Sequence, residues 1–173
     1  RYLDEHLPGA VYADLNRDLA APATAASGRH PLPSPATFEA RLRAWGVNAE
    51  SLVVTYDDGN GAYAARLWWM LRWLGHDAVR VLDGGMRRWL ALGLPLDEVV
   101  PVPASGDFVA RVRPDCTADA ATVLVAAGDA TARVLDVRAP ERYRGEVEPI
   151  DAVAGHVPGA RNHPFTASLD AQG

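Results

Sequence analysis

The chain has 173 residues and a mass of 18.5 kDa, with 49% hydrophobic and 23% charged residues. This is enough for one domain or two small ones and too apolar for a disordered chain. It is also too interrupted by charge for a membrane protein. The net charge is -5, all 17 basic residues are arginine, and none form a run, so no nucleic-acid partner and no membrane partner are expected. The single cysteine, Cys116, cannot form an internal disulfide, which points to a reducing, cytoplasmic compartment.

In chain order, the first feature is His6-Leu7-Pro8-Gly9-Ala10, which returns as His156-Val157-Pro158-Gly159-Ala160, offset by 150 residues. An offset of domain length predicts a duplicated domain. Ser34 and Pro35 predict a helix start, with Phe38, Leu42 and Trp45 at helical spacing and Gly46 as the stop. The β-branched run 52–56 predicts a strand buried on both faces. A polar loop over 57–61 leads into a helix over 62–74 that ends at Gly75. A second strand over 78–82, the Asp83-Gly84-Gly85 turn and a short helix through Trp89 follow. Strand and helix alternating at these lengths predict parallel βαβ crossovers.

Pro95, Pro101, Pro103, Gly106 and Pro114 then break up the chain, which predicts a linker. The expected organisation is a first domain over 1–104, a linker over 105–116 and a second domain over 117–173. In the second domain Thr117 is expected to cap a helix through Ala127, and 133–137 to form a strand with Arg138 at its exit. By the offset, the first copy's counterpart of that strand falls before Arg1, and the second copy's counterpart of 52–85 falls beyond Gly173. Both domains are therefore expected to be incomplete in this stretch.

The stretches 2–14, 28–33 (Gly-Arg-His-Pro-Leu-Pro), 53–58, 66–72, 81–85 with Trp89, 135–138 (Leu-Asp-Val-Arg) and 155–162 (Gly-His-Val-Pro-Gly-Ala-Arg-Asn) together resemble tandem-domain sulfurtransferases of the rhodanese family. That family comprises the thiosulfate and 3-mercaptopyruvate enzymes. The resemblance implies an α/β fold of two rhodanese-like domains, each a parallel sheet with helices on both faces. It implies an inactive first domain and a second one with a cysteine nucleophile on a loop after a parallel strand. The implied partners are a small anionic sulfur donor and a thiol or cyanide acceptor; no cofactor is expected.

Such a cysteine cycles between thiolate and persulfide, both anions, and needs backbone N–H groups converging from a Gly-rich loop at a helix N-terminus. The loop at 57–62 has that pattern but carries Asp57 and Asp58, carboxylates that compete with any bound anion, so it reads as an inert copy. Cys116 lies between Asp115 and Asp119 without a glycine cradle and reads as a linker thiol without function. The nucleophile is expected outside this stretch, about 50 residues after His156, because Asp57 follows His6 by 51.

Arg138 sits at the C-terminal end of a strand, where open parallel sheets bind ligands. It and Arg142, four residues on, are the candidate donor-binding residues. In the family, the arginine of the matching Asp-x-Arg motif contacts the donor; the structural alternative is a salt bridge from Arg138 to Glu141 or Glu146. His30 matches a His-x-Leu-Pro motif whose histidine handles protons with a nearby acid and a loop serine, making it a candidate auxiliary. Asn16 stands where one aspartate of the pattern is expected, which leaves Asp14 or Asp18 as the acid. His6 and His156 read as hydrogen-bonded turn residues, and Trp68, Trp69 and Trp73 as core. Two other classes remain: a non-catalytic rhodanese-like binding module, and a cysteine-dependent phosphatase on the same fold. A six-residue loop with cysteine means sulfur transfer, a longer one phosphate chemistry, and one without cysteine a binder.

Overall fold

A computed structural model describes residues 1–170. The chain divides into two compact units, one over Arg1–Pro114 and one beginning at Asp115.

In the first unit, helix α1 (Pro35–Ala44) starts where the Ser34 hydroxyl accepts from the Thr37 N–H at 3.1 Å, with Pro35 in the first turn. Phe38 and Leu42, one turn apart, are fully buried; each such burial contributes about 1.5–3 kcal/mol. Strands β1 (Val53–Thr55) and β2 (Val79–Val81) pair in parallel, Val53 opposite Val79, and helix α2 (Ala62–Trp73) makes the crossover. Met70, Leu71 and Leu74 pack with no exposure. The βαβ expectation is met.

Burial on both faces is not. Val54 is 50% exposed, and among the described residues β1 has one partner strand, β2. Of the three tryptophans expected in the core, only Trp73 is buried. Trp68 and Trp69 are half-buried on the flank of α2, Trp68 beneath the Arg72 guanidinium at 5.3 Å. Helix α3 (Gly85–Ala91) follows β2.

The stretch expected as a linker is largely part of this first unit. Gly106, Phe108, Arg111 and Arg113 donate backbone N–H groups to the carbonyls of Arg43, Val47, Leu74 and Trp73, and Phe108 is buried. Proline spacing signals that this segment is not helical; it carries no information on whether the extended chain is free or laid along a neighbour.

In the second unit, helix α4 (Ala120–Gly128) is capped by Asp119, whose Oδ1 accepts from the Thr122 N–H at 2.8 Å, and not by Thr117. Pro114–Cys116 forms a 3-10 turn just ahead of it. Leu124 and Val125 on this apolar helix are each 73% exposed. Strand β3 (Leu135–Asp136) is shorter than expected and pairs in parallel with β4 (Arg161–Asn162), with helix α5 (Pro140–Tyr143) between them.

The repeated His-x-Pro-Gly-Ala element is built the same way in both units. His6 stacks on Tyr2 at 4.2 Å and donates from Nδ1 to the Tyr2 carbonyl, while the Tyr2 hydroxyl donates to the Ala10 carbonyl. His156 stacks on Tyr143 at 3.7 Å and makes the matching bond to its carbonyl, and the Tyr143 hydroxyl donates to that of Ala160. The turn glycines Gly9 and Gly159 both have positive φ, +73° and +82°, a conformation open to Gly after Pro in a type II turn.

Candidate active site

The first unit carries the expected anion cradle, and Asp57 fills it. The Asp57 Oδ1 accepts from the N–H groups of Gly59 and Gly61 at 3.0 Å, and its Oδ2 accepts from those of Tyr63 at 3.0 Å and Ala64 at 3.1 Å. One carboxylate thus satisfies four donors at and before the start of α2, the groups a bound anion would need. Gly61 precedes α2 without a side-chain cap of its own.

His30 meets neither candidate acid. Its Nε2 donates to the Asn16 Oδ1 at 3.1 Å. The Asp14 Oδ1 accepts from the N–H groups of Asn16 and Arg17, both at 2.9 Å, closing its own turn. Asp18 is buried, with Arg17 at 2.8 Å, Arg41 at 3.1 Å and the Asp14 N–H at 2.9 Å. Burial alone would raise the Asp18 carboxyl, yet the Arg17 hydrogen bond, the Asp14 N–H and the Arg41 charge together hold it below the ordinary value. Asn16 was legible only as a departure from a pattern; its contact across fourteen residues of loop was not.

In the second unit Arg138 and Arg142 come together at the C-terminal end of β3, through acids other than those expected. Arg138 donates from Nε to the Asp136 Oδ1 at 3.0 Å and from Nη2 to Oδ2 at 2.6 Å, and also reaches the Gly155 carbonyl. Its Nη1 lies 3.4 Å from the Glu148 Oε2. Arg142 donates from Nη2 to the Glu148 Oε1 at 2.7 Å and to the Asp151 Oδ2 at 3.0 Å. Glu146 pairs instead with Arg144 at 2.7 Å. The Arg138 hydrogen bond holds the Asp136 carboxyl below its usual range. The Arg142 hydrogen bond and the Asp151 N–H bring Glu148 down to about 2. Asn162 on β4 ties the strand exit together, its Nδ2 donating to the carbonyls of Asp136 and Arg138.

Cys116 is half-buried and lies in the Pro114–Cys116 turn, ahead of the helix that Asp119 caps. Among the described residues no helix is long and apolar enough to cross a membrane.

Residues 1–92 match the model of the rhodanese-like domain. The chain is 49% identical over 174 residues to a protein of Pseudomonas aeruginosa named "Probable 3-mercaptopyruvate sulfurtransferase", covering 99% of this chain and 61% of that one. It is 38% identical to the 3-mercaptopyruvate sulfurtransferase of Escherichia coli K12, covering 95% of this chain and 58% of that one. It thus spans about three fifths of the length of these relatives. A crystal structure of a 3-mercaptopyruvate sulfotransferase from Escherichia coli superposes with a TM-score of 0.86 at 36% identity, over 98% of this chain and 63% of the other. Motif order, parallel βαβ architecture and these matches agree: the chain belongs to the rhodanese-like domain family.

Proposed function

We propose that this chain is part of a tandem-domain sulfurtransferase that moves a sulfane sulfur from thiosulfate or 3-mercaptopyruvate to a thiol or cyanide through a cysteine persulfide. The observation that carries the reading is the Tyr–His–Pro-Gly-Ala element built alike in both units, together with 49% identity across 99% of the chain to a protein bearing that activity in its name. The first unit is the non-catalytic copy, its cradle occupied by Asp57.

The nucleophile lies outside residues 1–173, on the second copy's counterpart of the 57–62 loop. There the thiolate attacks the outer sulfur of thiosulfate, the sulfur–sulfur bond breaks, and sulfite leaves with its electron pair. The acceptor then takes the outer persulfide sulfur and regenerates the thiolate. Arg142 supplies the positive contact to the donor. Arg138, whose guanidinium is largely taken up by Asp136, Glu148 and Gly155, braces the strand exit. In the first unit His30 is oriented by Asn16, and Asp14 serves its own turn.

The full-length protein, assayed with thiosulfate or 3-mercaptopyruvate and cyanide, is expected to form thiocyanate, and to lose this when the loop cysteine is replaced by serine. A loop without cysteine, or no turnover with either donor, overturns the reading in favour of a binding module.

A further inference from the structure

We propose that Glu148 is a positioning residue of the donor site, holding Arg142 across a loop that the first copy lacks, so that the Nη1 edge of Arg142 is presented to the donor's negative charge. The inference rests on the sulfur-transfer reading above.

Tyr2 and His6 are four residues apart, whereas Tyr143 and His156 are thirteen apart. The stacked pair is built without the nine extra residues in the first unit, so the insertion serves something else. It carries Glu148 and Asp151, the two acids that hold Arg142.

The Glu148 side chain is only 5% exposed and is itself fixed, its Oε1 accepting from the N–H groups of Ile150 at 3.1 Å and Asp151 at 3.0 Å. Its Oε1 takes the Arg142 Nη2 at 2.7 Å, and its Oε2 lies between the Arg142 Nε at 3.3 Å and the Arg138 Nη1 at 3.4 Å. Nε and Nη2 of Arg142 are thereby committed, and among the described residues Nη1 has no acceptor. A long, flexible side chain is held through two of its three guanidinium nitrogens, which removes ordering that a donor would otherwise have to supply.

Charge alone makes the opposite prediction. Arg138 and Arg142 face Asp136, Glu148 and Asp151, so the cluster carries a net negative charge and repels an anion at long range. Removing the Glu148 charge should then strengthen donor binding, whereas loosening Arg142 should weaken it. The two accounts differ in sign.

The test is Glu148→Gln in the full-length protein, with initial rates against thiosulfate at fixed cyanide. The expected result is a KM for thiosulfate raised about tenfold with kcat within about twofold of wild type, in a variant whose thermal melt still shows a cooperative transition. An unchanged or lowered KM in that folded variant overturns the inference. Should Glu148→Gln not fold, Glu148→Asp is measured instead; it keeps the charge and withdraws it by one methylene, so a raised KM supports positioning and an unchanged one overturns it. Absence of turnover in the wild type overturns the sulfur-transfer reading itself and the inference with it.

Discussion

Arg138 and Asp136, two residues apart at the exit of β3, form a closed fork: Nε of the guanidinium donates to both carboxylate oxygens, at 3.0 and 3.1 Å, and Nη2 to Oδ2 at 2.6 Å. With Glu148 and the Gly155 carbonyl also engaged, Arg138→Ala leaves the Asp136 carboxylate without its partner and Glu148 with Arg142 alone, which costs more than the Arg138–Asp136 pair contributes when intact. The expected effect is a fall in Tm on the order of 5 °C. Arg138→Lys should restore only part of it, because one ammonium cannot reproduce the planar fork. Thermal melts check this. A Tm that does not move, with a raised donor KM in the full-length protein, would make Arg138 a donor contact.

Glu148 also sets a pH dependence. Its carboxyl is lowered from 4.5 to about 2 by Arg142 and the Asp151 N–H. A depressed carboxyl contributes stability that is fully present above its unfolded value and lost as pH falls through the folded one. The Glu148 contribution is therefore complete above 4.5 and disappears between 4.5 and about 2. Melts across that range should fall more steeply for wild type than for Glu148→Gln; parallel curves would remove Glu148 from the acid response.

Asp57 accepts four backbone N–H groups at the start of α2. Asp57→Ala strands them and should cost about 1–2 kcal/mol, the upper range of a lost helix cap. Asp57→Asn keeps one acceptor oxygen and should fall between. Urea unfolding measures both, and equal stability of all three proteins would contradict the capping role.

Gly106 donates its N–H to the Arg43 carbonyl, and a Cβ built on it would overlap the Val47 carbonyl oxygen. Gly106→Ala must push the chain off the first unit and should destabilise it by about 2–3 kcal/mol. If hydrogen exchange at Phe108 and the melting temperature stay as in wild type, the segment is not held as described.

The 173-residue chain alone should form no thiocyanate from thiosulfate or 3-mercaptopyruvate, since Cys116 sits in a 3-10 turn without a glycine cradle. Turnover above background that Cys116→Ser abolishes would overturn this.

Some features were legible because their cause is local. Ser34-Pro35 marks a helix start through a hydroxyl and a fixed φ that act within one turn. The βαβ order follows from runs of apolar and β-branched residues. Thr117 misled because Ser, Thr and Asp compete for the same cap, and the choice fell to Asp119, two residues on.

By itself the sequence carried the family resemblance, in the order of its short motifs, and the parallel α/β class, because turn glycines, caps and apolar periodicity act over a few residues and survive in the string. The tertiary structure alone decided that Arg138 answers Asp136 and Glu148 instead of Glu141 or Glu146, that His30 meets Asn16, and that residues 106–113 belong to the first unit. Several of these contacts close loops of 10 to 63 residues. Which charge reaches which partner across such loops depends on the path of the backbone between them, and no periodicity in the sequence records that path.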